Sequence, residues 1–327
     1  MPLRSFIAGL LLALASAAHA AANTVKIGTV AWVGYGPFYV AEQKGMFRKA
    51  GLDVQLKMFN DPAEIPPAIA GGSLQGGMVT INQVIAAVVK GQVQKIVMPI
   101  DFSNGADAIV APLAMNSLAE LKGRKIGLAQ LTPSDILLGY ALRTAGVADR
   151  DVTFINMAPD AIPAAMTSGQ LEVGVTWEPM LSQLLTMEKG KRYKVIYSSR
   201  QAPGLIADVL VFDQKFIAAS AKEIETVVRV YLQALDWTRK NPDEAAKIVA
   251  KAMSISPKEV KEQLPMVRNV SGADMPKAFA KSADPLSFHT SGAITSEILK
   301  SRGEIDRIPA VSEYAEAKFV TAAAAGK

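Results

Sequence analysis

The stretch IPAAMTSGQLEVGVTWEPM, Ile162 to Met180, has a near-double in IPPAIAGGSLQGGMVTINQV, Ile65 to Val84, at a constant offset of 97 residues. The shared positions are Ile65/Ile162, Pro66/Pro163, Ala68/Ala165, Gly72/Gly169, Leu74/Leu171 and Gly77/Gly174. Immediately afterwards the copies diverge, into Thr80-Ile81-Asn82 in one and Trp177-Glu178-Pro179 in the other. A phrase kept through its glycines and apolar residues describes scaffold; a divergence at its end describes two surfaces with different tasks.

The duplication extends outward. VKIGTVAW (Val25 to Trp32) resembles RKIGLAQL (Arg124 to Leu131) at an offset of 99, and LDVQLKMF (Leu52 to Phe59) resembles RDVTFINM (Arg150 to Met157) at 98. Each unit reads strand, helix, strand, helix, strand. The first helix of unit one spans PFYVAEQKGMFRKAG, with Pro37 early and Gly51 at its stop; that of unit two spans Pro133 to Gly146. Strands separated by helices of this length form parallel βαβ units. Between and after the units lie two stretches of one form, Lys95 to Pro112 and Tyr193 to Gln214: an apolar strand, a polar corner, a second strand. They predict two crossings between lobes, with hinges at Ser103–Asp107 and Ser198–Asp208. Lobe one is then 21–105 plus 206–327, and lobe two 106–205. From Ser220 the chain reads as packing helices, the first with an apolar stripe at Ile224, Val227, Val228, Tyr231, Ala234 and Leu235.

Composition narrows the function. Arg4, the apolar run Phe6 to Ala18 and the small-x-small Ala18-His19-Ala20 predict a cleaved secretory leader over residues 1–20. No cysteine follows to carry acyl chains, so the expected mature chain is soluble, lipid-free and monomeric. Removing Arg4 takes the formal charge from +5 to +4, and the cations are scattered, so no nucleic-acid surface is expected. The mature chain keeps one histidine, His289, and no cysteine, which removes Cys/His nucleophiles and soft metal sites. GTVAWVGYG lacks the G-x-G-x-x-G spacing, and no Walker sequence occurs. No catalytic residue, metal site or cofactor is therefore expected; a hydrolase using Asp101 and Glu178 is the minor enzymatic alternative.

In open parallel sheets a ligand sits at the carboxyl ends of the strands. Those positions are Ala31–Pro37 and Thr80–Gln83 in lobe one, Gln130–Asp135 and Thr176–Pro179 in lobe two. Trp32 and Tyr35 are ligand-facing or lid aromatics, beside Gly34 and Gly36, which permit close backbone approach. Trp177 is a ring for the ligand or a plug between lobes. Glu178 either caps the helix opened by Pro179 or points into the cleft. Asp107 and Asp208, at the crossings, are hinge acceptors or ligand anchors. Asp135 reads as a helix cap and Ser134 as a donor to ligand. Asp101, Asp107, Glu178 and Asp208 are acidic, and no Lys or Arg lies within 31–37, 80–83, 101–108, 130–135 or 176–179. Acidic groups with aromatic faces suit a cationic or nitrogen-rich solute.

GLDVQL (Gly51 to Leu56), the A-x-x-x-G phrase and WEP (Trp177 to Pro179) resemble the substrate-binding proteins of nitrate/taurine-type ABC importers, the aliphatic-sulfonate-binding and thiamine-pyrimidine-synthase-like family. The resemblance covers residues 24 to about 240. DFSNGADAIV (Asp101 to Val110) with SLAELKGRKIGL (Ser117 to Leu128) is most similar to a subgroup encoded beside urea carboxylase. It implies an α/β, two-lobed type II periplasmic binding protein whose two similar βα lobes are joined by a two-strand hinge. Such a receptor closes on its solute in the periplasm and docks on an inner-membrane permease with its ATPase. The subgroup implies urea, guanidine or a related amide or amidine as solute; the wider family implies nitrate, taurine, alkanesulfonates or pyrimidines. Ligand contacts carry over onto Trp32, Tyr35, the Thr80–Asn82 loop, Asp101, Asp107, Ser134 and Trp177-Glu178, and Asp208 joins them as a hinge carboxylate. Gln75 stands where the family has an acidic residue, and Gln83 where the subgroup has Asp. A sensor subunit docking on a signalling receptor would use the same cleft.

Overall fold

The computed structural model describes residues 24–325, so the leader read in residues 1–20 lies outside the described residues. The strands run in chain order as β1 (Thr24–Thr29), β2 (Asp53–Met58), β3 (Gly76–Thr80), β4 (Gln94–Ser103), β5 (Asp107–Pro112), β6 (Lys125–Leu128), β7 (Thr153–Asn156), β8 (Val173–Trp177), β9 (Tyr193–Ser198), β10 (Ala207–Asp213) and β11 (Val267–Asn269). They form a six-stranded sheet ordered β11-β4-β10-β3-β1-β2 and a five-stranded sheet ordered β7-β6-β8-β5-β9. In each, three parallel strands come from one sequence unit, and the third is flanked by an antiparallel strand delivered by a crossing. Two βα lobes of the bilobed type II binding-protein fold result.

The doubled phrase is the helix-on-sheet contact. Pro66 and Pro163 sit in the first turns of helices Ile65–Ala70 and Ile162–Thr167, where a missing N–H removes nothing. Gly72 (φ 77°) and Gly169 (φ 79°) follow these helices in the left-handed region, which a side chain disfavours. Beneath them the strand glycines leave room for the helix. A Cβ at Gly77 would lie 2.5 Å from Ile65 Cγ2, and one at Gly174 2.7 Å from Ile162 Cγ2. The repeated isoleucine thus rests on the repeated glycine, and any side chain there would lift the helix off its sheet.

β5 is buried on both faces: Ile109 and Ala111 join the larger core, and Ala108 and Val110 join a smaller one under helix Ile162–Thr167, as alternation in a strand requires. The predicted stripe of the 220s and 230s is buried along helix Ala221–Lys240. One expected helix divides. Residues 37–51 form Gly36–Gln43 and Met46–Lys49, because Gly45 takes a φ of 63° between them. The two crossings touch: Ser103 and Ser199 hydroxyls lie 2.7 Å apart, and the Gly105 N–H donates to Ser199 Oγ at 2.7 Å. The C-terminal helix Phe288–Ser301, which the sequence places with lobe one, packs against helix Ile81–Val89 of lobe one and helix Pro133–Thr144 of lobe two.

Candidate functional site

A cavity of about 30 Å³ lies between the carboxyl ends of the two sheets, lined by Val30, Trp32, Tyr35, Pro62, Thr80, Gln83, Asp107, Pro133, Trp177, Ile206 and Asp208. By the measure in which one water needs roughly 10–15 Å³, this holds a solute of very few heavy atoms. Six of the ten residues expected from sequence line it. The other four stand close by in other roles.

The register explains why carboxylates converge here. Asp208 of β10 pairs with Thr80, the last residue of β3, and with Asp101 of β4. Asp107 of β5 pairs with Trp177, the last residue of β8. Three aspartates from three strands are thereby held, at 0%, 1% and 4% exposure for Asp101, Asp107 and Asp208. Trp32 Nε1 donates to Asp101 at 3.2 Å, and the Tyr35 hydroxyl donates to Asp208 at 2.6 Å. Asn269 of β11 fixes the loop bearing both aromatics by donating to the Gly34 carbonyl at 2.7 Å. Neither oxygen of Asp107 has a hydrogen-bond partner, and the Ser134 hydroxyl is likewise buried without one.

Burial dominates the electrostatics. It pushes Asp101 up to about 8, with the Trp32 hydrogen bond opposing and the nearby Asp107 charge adding to the rise. Asp107 rises to about 7, again through burial first; the nearby Ser103 hydroxyl, which lies 2.7 Å from Ser199 Oγ and is not hydrogen-bonded to Asp107, opposes the rise, and Glu178 adds to it. Asp208 is held well above the carboxylate range by burial and the Asp101 charge. No Lys, Arg or His figures among the groups acting on these three. Desolvated carboxylates without a counter-ion favour the neutral form until a cation arrives.

Two expected residues turn away from the cavity. Glu178 accepts from the Ser182 hydroxyl at 2.9 Å and from its backbone N–H at 3.2 Å, so its geometry is that of a helix cap. Asn82 donates across the cleft to the Leu131 carbonyl at 3.1 Å. Asp135 accepts from the Leu131 N–H and pairs with Arg302. Of the other lining residues, Val30 and Pro62 lie outside the cleft segments read from sequence, whereas Gln83, Pro133 and Ile206 lie within them without having been singled out. The signal for Gln83 was present: Thr80-x-x-Gln83 is a capping box, formed with the Gln83 amide also donating to the Pro62 carbonyl at 2.8 Å. That network engages the side chain standing where the subgroup has Asp.

Among the described residues no group of three or more His, Cys, Asp or Glu is placed to hold a metal ion. Residues 32–245 match the family model described as NMT1/THI5 like. A taurine-binding periplasmic protein of Escherichia coli is 26% identical over 226 residues, covering 65% of this chain and 68% of that protein. The alkanesulfonate-binding protein SsuA of Xanthomonas axonopodis, solved bound to MOPS, superposes with a TM-score of 0.74 at 18% identity, over 90% of this chain and 98% of that one. The periplasmic nitrate-binding protein NrtA of Synechocystis gives 0.74 at 15% identity, over 94% and 89%. These likenesses support the broader family and lend nothing to a subgroup linked to urea carboxylase. The chain belongs to the NMT1/THI5-like family and is a periplasmic substrate-binding protein of the nitrate/taurine type.

Proposed function

We propose that the cleft captures a small solute rich in N–H donors, such as guanidine, urea or a related amidine or amide, and that a cation is preferred. The observation that carries this reading is Asp107: both carboxylate oxygens are buried at the cavity with no partner, beside Asp208 and with no cationic side chain acting on either. A guanidinium supplies the missing donors and the missing charge, and Trp32, Tyr35 and Trp177 offer ring faces to it. The mature chain acts as a monomer.

A second reading draws on the relatives' names, which point to taurine, alkanesulfonates and nitrate. Nitrate and simple sulfonates would meet Asp107 and Asp208 at the cavity with no cationic side chain to answer them. Taurine fits better than either, because its ammonium answers them. Isothermal titration of the chain with millimolar guanidinium, acetamidine, urea, taurine, ethanesulfonate and nitrate separates the readings. Guanidinium or acetamidine binding tightest supports the first. Tight nitrate or ethanesulfonate binding with silent guanidinium would sink it.

A further inference from the structure

Leu131 has a φ of 60°, the left-handed region that a residue with a Cβ disfavours. Such a conformation persists where its surroundings hold it. On one side its N–H donates to Asp135 Oδ2 at 3.3 Å. The other Asp135 oxygen pairs with Arg302 Nη1, which also donates to the Asp135 carbonyl at 2.7 Å. Arg302 is fixed in turn by Asp149 at 3.2 Å and lies 4.7 Å over the Phe154 ring. The Arg302 and Asp135 side chains are 7% and 5% exposed, an ion pair almost out of water.

On its other side Leu131 faces lobe one. Its carbonyl accepts the Asn82 amide at 3.1 Å, and Asn82 stands in the first turn of helix Ile81–Val89. Arg302 follows directly on the helix Phe288–Ser301 that packs against both lobes. Gly139 permits that approach, since a Cβ there would lie 2.6 Å from Ile298 Cγ2. The Asn82–Leu131 bond joins a lobe-one helix to a lobe-two loop. The Arg302–Asp135 pair behind it, which also runs from the C-terminal segment to lobe two, holds the side chain that receives the Leu131 N–H.

We propose that Asn82 and the Leu131 carbonyl form a latch that holds the lobes closed, and that Arg302, acting through Asp135, is its positioning residue. The latch is independent of which solute the cleft takes. It also makes the C-terminal helix part of the closing machinery.

The chain has no cysteine, so spin labels can be placed at Ser73→Cys and Gln170→Cys, exposed and equivalent positions of the two lobes. Interlobe distances are then measured in the ligand-free chain by pulsed electron resonance. Wild type should show a short-distance component, and Asn82→Ala should shrink it at least threefold. Arg302→Gln should do the same, and the double variant no more than either single one, because both act on one hydrogen bond. Leu131→Gly in the Arg302→Gln chain should restore the component to within twofold, since glycine takes the left-handed conformation unaided. A merely structural Arg302 would not be rescued in this way. Asn82→Ala removes no buried charge and carries the test independently of how Arg302→Gln folds. Absence of the short component in wild type, its persistence in Asn82→Ala, or failure of the glycine rescue would each overturn the proposal.

Discussion

Asp208 and Asp107 occupy matching places in the two lobes. Each lies in the antiparallel strand beside the third parallel strand, opposite that strand's last residue, Thr80 in one lobe and Trp177 in the other. Their surroundings differ. Asp208 receives the Tyr35 hydroxyl at 2.6 Å, whereas Asp107 receives nothing. The lobe-two loop in the place of Tyr35 carries Pro133 and Ser134, and Ser134 keeps its hydroxyl unpaired. One scaffold thus presents a carboxylate already satisfied and a carboxylate waiting for a donor. The helices after the third strands show the same economy. Lobe one caps its helix with Thr80 and Gln83, leaving Asn82 to reach across the cleft; lobe two caps with Glu178 on Ser182, leaving Trp177 at the cavity.

The matched aspartates can be told apart by substitution. Asp107→Asn should weaken binding of the best ligand by about 10- to 150-fold, the loss of a charge-assisted hydrogen bond of roughly 1.5–3 kcal/mol. It should leave the melting temperature unchanged or higher, because an unpaired buried carboxyl is removed. Asp208→Ala should weaken binding and also lower the melting temperature, since it strands the Tyr35 hydroxyl. Titration and differential scanning calorimetry of both variants check this; equal thermal penalties would erase the distinction. Trp177→Ala should cost roughly 1–2 kcal/mol of cation affinity through the lost ring face.

The doubled packing predicts a symmetric result. Gly77→Ala and Gly174→Ala should each destabilise the ligand-free chain by roughly 1–3 kcal/mol, the usual effect of overpacking. Thermal unfolding is the suitable measurement, because urea and guanidinium are candidate ligands. A large loss in one lobe with none in the other would break the equivalence drawn from the sequence.

Proton linkage distinguishes the lobes more gently. Asp107 has an ordinary value of 3.8 and is raised to about 7 in the folded chain. Between those values the folded state holds a proton that the unfolded state lacks, so stability falls as pH climbs from about 4 to about 7. The ionised form that a cation prefers grows over the same interval, so guanidinium affinity should rise. Asp107→Asn should flatten part of both trends, leaving the share due to Asp101, which is raised to about 8. The smallest effect belongs to the exposed pair Arg124–Glu172 at 2.7 Å, where Arg124→Ala should change stability by less than about 0.5 kcal/mol.

The scaffold was legible in the sequence because its repeated residues are the contacts themselves: isoleucine on glycine, proline at the helix start, glycine at its end. The corners where the chain passes from one sheet to the other were legible because polar residues interrupt apolar strands there. The acidic cleft was legible because no Lys or Arg occurs in the strand-end loops 31–37, 80–83, 130–135 and 176–179 or in the corner 101–108; Arg200 lies in the other corner. What sequence reading left open depended on neighbours distant along the chain. Whether Glu178 faces the cleft or Ser182 is decided by the local turn, and two outcomes fit the same letters. The split at Gly45 was masked because apolar spacing continues on both sides. Arg302 lies far in sequence from Asp135 and Asp149, and nothing in its own neighbourhood points to lobe two.

The exchange of strands has a consequence for the order of assembly. Every strand of the five-stranded sheet lies between Asp107 and Ser198, so that sheet can finish on contiguous chain. The six-stranded sheet cannot, because β3 and β4 meet only through β10, which arrives after the whole of the other lobe. Until residues 207–213 are in place, β3 presents an unpaired edge, the kind of surface on which chains aggregate. Contacts of such long sequence separation also form slowly. The lobe that begins first is therefore the one completed last.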